Sequence, residues 1–205
     1  YEISVRDWSS DVCSSDLMYD YYLGGAHNFA IDREAAERAI AAMPATVAGA
    51  RTNRAFLQRA VRFLVEAGIR QFIDLGSGIP TSGNVHEVAQ DIDPAAKVVY
   101  VDVDAVAVTH GQSVLEGNDR TAFLHADMRD ADTVLGAPEV ASLIDWSEPV
   151  ALLMVAVLHF VRDDDGLADI MARYRDALPP GSYLTVSHMS MTGQPREFLE
   201  RFKQR

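Results

Sequence analysis

From Ile69 onward, short apolar runs alternate with stretches of helical periodicity. The runs are QFIDL, KVVYVDV, TAFLHA, PVALLMVAVLHF and SYLTVSH. Between them lie NVHEVAQDI, AVAVTHGQSVLEG, the DADTVL and PEVASLI segments, and DGLADIMARYRDAL. Such alternation predicts parallel βαβ units with right-handed crossovers. The runs are continuously apolar, as strands are in a sheet covered on both faces. Pro179-Pro180-Gly181 predicts a turn before the fifth strand. The closing stretch MTGQPREFLERFKQR predicts one more helix.

Before Ile69 the period is helical. MYDYYLGGAHNFAIDR, residues Met18–Arg33, is aromatic and broken at Gly24-Gly25. Asp32 is placed to N-cap the helix REAAERAIAAM, with Glu34 and Glu37 in its early turns. Pro44 ends or restarts that helix. The following stretch sets Ala50, Phe56, Leu57, Val61, Leu64 and Val65 on one face, and Gly68 is its C-cap. The expected architecture is α/β: a Rossmann-like, doubly wound, mostly parallel sheet over residues 69–205, truncated at its C-terminus, with a helical lid over 18–68.

Tyr1–Leu17 has neither a sustained period nor a signal-peptide pattern. Back-translated with ordinary codons, Arg6–Leu17 resembles a common sequencing-library adapter. The segment is therefore read as a translated artefact outside the fold. It contributes −3 to the net charge of −12 (Glu2, Asp7, Asp11 and Asp16 against Arg6), leaving −9. It also holds the single cysteine, Cys13, so the rest of the chain has no disulfide or thiolate site. A reducing cytoplasm fits this.

The acid balance argues against nucleic acid as a partner. Arg51, Arg54, Arg59 and Arg62 are read as the solvated face of a helix. No apolar run reaches the roughly 20 residues of a membrane span, and the six histidines lack metal-ligand spacing.

In an open α/β sheet, ligands sit beyond the carboxyl ends of the strands. After the first strand comes Asp74-Leu75-Gly76-Ser77-Gly78, a turn whose glycines let backbone approach a ligand closely. A dinucleotide fingerprint would need a third glycine at position 81, where this chain has Thr81. After the second strand comes Asp102-Val103-Asp104. An acid there is placed to accept ribose hydroxyls, while Asp104 caps the next helix. After the third come Asp127 and Met128. That acid suits an exocyclic amine such as that of adenine, and Val103 and Met128 are candidates to sandwich the ring. After the fourth comes His159, the candidate substrate-binding or basic residue.

Glycine turn, acid and acid at successive strand ends resemble the class I S-adenosylmethionine-dependent methyltransferases. The motifs D-Y-x-L-G-G-x-x-N-F and G-S-G-x-P-T-x-G-N-V-H-E narrow the resemblance. They are similar to an actinobacterial methyltransferase family formerly known as a domain of unknown function, over about Met18 to His188. The resemblance implies S-adenosylmethionine as cofactor. Gly76, Ser77 and Gly78 would lie at its methionine part, supported by Asp74, with Asp102 at the ribose and Asp127 at the adenine amine. It also implies that Tyr19, Tyr22, Asn28 and Phe29 form a lid over the cofactor.

Methyl transfer from a sulfonium needs alignment and desolvation more than acid–base chemistry. No catalytic dyad is therefore required. The expected activity is methyl transfer to a small-molecule acceptor. A nicotinamide-dependent oxidoreductase and a non-catalytic cofactor-binding module remain as alternatives.

Overall fold

The computed structural model describes residues 14–80 and 83–189. Thr81 and the helix expected over 191–205 lie outside them. Helices α1 (Ser15–Leu23), α2 (Ala30–Ala42) and α3 (Thr46–Glu66) precede strand β1 (Gln71–Leu75). Then follow α4 (Val85–Ile92), β2 (Lys97–Asp102), α5 (Ala105–Val114), β3 (Thr121–His125), α6 (Ala131–Leu135) and α7 (Pro138–Leu143). β4 (Ala151–Val155), α8 (Leu167–Ala177) and β5 (Tyr183–Ser187) complete the order.

The five strands form one sheet in the order β3-β2-β1-β4-β5, with every pairing parallel. This is the doubly wound arrangement, with its switch point between β1 and β4. Alternation along the strands divides the core. Phe72, Val98, Tyr100 and Leu153 face α3, α4 and α5. Ile73, Leu75, Val99, Val101, Leu152 and Met154 face α6, α7 and α8. Both faces are covered, which is why β1 and β2 carry almost unbroken apolar sequence.

Three expectations need correction. The apolar run to Phe160 is not one strand: β4 ends at Val155, and Leu158–Phe160 is a single 3₁₀ turn. Between them Ala156 takes φ 59°, a left-handed conformation costly for a residue with a Cβ. It is held there because its N–H donates to both the carbonyl and the hydroxyl oxygens of Ser187 on β5. Second, Asp32 caps α2 from its third residue rather than from the N-cap. Its carboxylate accepts the N–H of Phe29 at 2.9 Å, and that of Ser14 at 2.9 Å. Third, Ser14–Leu17, expected to lie outside the fold, form the cap and first turn of α1. There Leu17 packs on Ile79 and Ala107.

The turn after β1 is shaped by glycine. Gly76 has φ 64°, and a Cβ at this position would lie 2.1 Å from Val157. Backbone conformation and close approach both demand glycine. Gly76→Ala is expected to lower unfolding stability by about 2–4 kcal/mol, read as a lower urea midpoint by circular dichroism. An unchanged midpoint would count against this reading of the turn.

Candidate functional site

The residues predicted from strand ends converge at the carboxyl edge of the sheet. The N–H groups of Gly76 and Ser77 donate to the Val101 carbonyl, carrying the β1–β2 ladder into the turn. The N–H of Gly78 then donates to Asp102 Oδ2 at 2.7 Å. Asp102 Oδ1 accepts the N–H of Asp104 at 2.9 Å. Both oxygens are engaged, yet a carboxylate has about four acceptor positions, so capacity for hydroxyl donors remains. Burial raises the pKa of Asp102 above the usual carboxylate range, opposed by these two backbone N–H bonds. Asp104 caps α5 as expected, accepting the Val106 N–H at 2.7 Å.

Asp127 lies just beyond β3, gripped by Arg129 through a backbone N–H and a side-chain fork. Burial alone would raise its pKa; the bonds and charge of Arg129 outweigh that and lower it. Arg129 also reaches Asp165 at 3.0 Å. Of the two candidate ring-packing residues, Val103 is exposed, whereas Met128 is buried in the core beneath.

Beyond β4, the His159 ring lies near those of Phe160 and His188, with centroids 4.3 and 6.1 Å away. Its Nδ1 is buried without a partner among the described residues. Burial, then the neighbouring His188, lowers its pKa, so the imidazole is neutral near pH 7.

The aromatic N-terminal segment divides in role. Tyr19 reaches α3: its hydroxyl donates to the Ala50 carbonyl and accepts from Asn53. Tyr22 packs on Ala36 and Ala50 among the covering helices. Asn28 is engaged in the turn after α1. Its amide donates to Asp20 and to the Gly25 carbonyl, and its Oδ1 accepts from Arg33. Phe29 is exposed. The part of α1 that meets the glycine turn is its first turn, where Asp16 packs against Gly78. Burial, then the charges of Asp102 and Asp104, raises the Asp16 pKa well above the usual range.

One surface depression begins at Ala105 and Val106, beside Asp104 at the amino end of α5, and runs along that helix past His110; another lies at the amino ends of β1 and β2.

Arg54 departs from the solvated face expected for it. Arg51, Arg59 and Arg62 are exposed as expected, but Arg54 is half-buried. Its Cζ lies 5.7 Å from the centre of the Tyr19 ring, and its Nη1 lies 3.4 Å from Asn84 Oδ1 at the N-cap of α4. The capping pattern after the glycine turn was the one available sequence clue. Glu87 accepts the N–H groups of Gly83 and Asn84, fixing Asn84 opposite α3.

Asp74 faces α3 from the end of β1. Burial pushes its pKa up to about 7, Arg54 pulls it down, and Asp102 pushes it up. A folded-state pKa above the unfolded value means stability is greatest below about pH 4 and declines as pH rises towards 7. Asp74→Asn is therefore expected to be more stable than the parent at pH 8, by on the order of a few kcal/mol. The advantage should shrink towards pH 4, as followed by thermal melts. A pH-independent difference would contradict the assignment of a buried, titrating carboxyl.

Comparison with known proteins identifies the family of the chain. A family model described as S-adenosyl methyltransferase matches residues 4–204, a span that begins inside the segment Tyr1–Leu17. No protein of curated function matches. A solved structure of a proposed methyltransferase from Thermobifida fusca YX is 42% identical, with a TM-score of 0.89. The match covers 96% of this chain and 74% of that one. A DUF574 family protein from Streptomyces avermitilis MA-4680 is 41% identical, with a TM-score of 0.87, over 94% of this chain and 74% of its own. The family's cofactor is S-adenosylmethionine, and the residues at the sheet edge fit it: carboxylates after β2 and β3, a glycine turn after β1, and a buried guanidinium nitrogen without a partner among the described residues. The chain belongs to the S-adenosyl methyltransferase family.

Proposed function

We propose that the protein transfers the methyl group of S-adenosylmethionine to a small-molecule acceptor. The observation that carries this reading is the Gly78–Asp102 hydrogen bond, which sets a half-buried glycine turn beside an acid at the next strand end. A ribose diol matches the spare acceptor capacity of Asp102. An adenine amine would meet Asp127 by sharing or displacing Arg129, which already makes two contacts to each of its carboxylate oxygens. Neither acid suits a pyrophosphate, which would favour helix N-termini and cations.

The bound cofactor supplies an electrophilic methyl on a positively charged sulfur. The protein's share is orientation and exclusion of water. Asp102 and the Gly76–Gly78 turn fix the cofactor relative to the sheet edge. The first turn of α1 roofs that turn. His159, neutral near pH 7, is the candidate base where the acceptor must lose a proton. It stands beyond β4, on the far side of β1 from Asp102.

Calorimetry is expected to show binding of S-adenosylhomocysteine and none of NAD. Asp102→Ala should weaken S-adenosylhomocysteine binding by about 1–3 kcal/mol while the fold persists. Binding of NAD alone, or unchanged affinity in a folded Asp102→Ala protein, would contradict the cofactor assignment. With a labelled methyl donor and a metabolite extract, label is expected to reach a small acceptor; its absence from every acceptor would contradict transfer.

A further inference from the structure

Arg54 is a half-buried cation without a matching anion at bonding distance. The ion pairs of arginine among the described residues involve Arg70, Arg129, Arg162, Arg173 and Arg175, and Arg54 is not one of them. Its Nε is buried and has no hydrogen-bond partner among the described residues. Its remaining contacts are weak: a 3.4 Å approach to Asn84 and the Tyr19 ring face. A guanidinium removed from water in this way normally has a carboxylate or phosphate in its fork. Asp74 is close enough to feel its charge, yet burial outweighs that attraction.

The placement identifies the missing anion. Arg54 stands over the carboxyl end of β1, between Tyr19 of α1 and the N-cap of α4, and the glycine turn joins that strand to that helix. Tyr19 and the neighbouring Asn53 hold α3 in register here. Asn53 donates to the Tyr19 hydroxyl and accepts from Ser187, whose hydroxyl in turn supports Ala156. The guanidinium is therefore pre-positioned by both the lid and the sheet.

We propose that Arg54 is the receptor for the α-carboxylate of S-adenosylmethionine. This rests on the cofactor reading above and extends it to the amino-acid end of the molecule. Asp74 lies close enough for its charge to interact with that of Arg54, but the two form no ion pair. The adenosine end depends on Asp102 and Asp127, so the two ends are separable by ligand.

The test compares S-adenosylhomocysteine, which carries the carboxylate, with 5′-methylthioadenosine, which lacks the whole amino-acid end. Arg54→Gln is expected to weaken S-adenosylhomocysteine binding about 10- to 100-fold, the scale of a lost charge-assisted pair. Binding of 5′-methylthioadenosine should be unchanged, which also reports an intact site. Arg54→Lys should recover part of the loss, since it keeps the charge without the fork. Equal losses for both ligands, or no loss for either, would overturn the assignment while leaving the cofactor reading in place if the parent protein binds both. A parent protein that binds neither ligand would overturn both.

Discussion

The hydrogen bond from the Gly78 N–H to Asp102 is the constraint on which the site depends. It joins the turn after β1 to the end of β2 across the sheet edge, and so fixes where backbone and carboxylate stand relative to each other. Everything beneath it exists to present those two groups. The parallel ladder brings β1 and β2 together in register, Gly76 admits Val157 against the turn, and Asp104 starts α5 immediately afterwards. The same bond explains why Asp102 can be buried at all. Backbone N–H donors take the place of the water it gives up.

Electrostatics at this edge are strained in a consistent direction. Asp16, Asp74 and Asp102 are all buried enough to have raised pKa values, and each is raised further by a neighbouring acid. Arg54 is the cation that acts on this group through Asp74. A concentration of buried acid with one under-used guanidinium is unfavourable for the free protein, and on the proposed site it would favour a ligand carrying a sulfonium, an ammonium and a carboxylate. On that proposal stability and binding would pull against each other at the same residues, the usual trade-off at a site for a charged ligand.

What was legible in the sequence was what topology dictates. The strand-end rule located Asp74, Gly76, Gly78, Asp102 and Asp127, because a parallel sheet must deliver its strand ends to one edge. β1 was read with its observed bounds since QFIDL is flanked by an arginine and a glycine. The end of β4 was not legible. Nothing in an apolar run tells that Ala156 will turn left-handed, because Ser187 on β5 imposes that conformation from 31 residues away. Arg54 was hidden for a similar reason. Helical period separates apolar from polar faces, but it does not reveal that Tyr19 will close over one particular polar residue. Asn28 illustrates the converse: local bonding to Asp20 and Gly25 engages a side chain that the resemblance implied for a lid over the cofactor.

A crystal structure of the protein with S-adenosylhomocysteine tests the central claim most directly. The ligand is expected at the carboxyl edge of β1 and β2, with its ribose hydroxyls donating to Asp102 and its amino-acid end beside the Gly76–Gly78 turn. A ligand bound elsewhere, or a ribose at that edge without contact to Asp102, would contradict it.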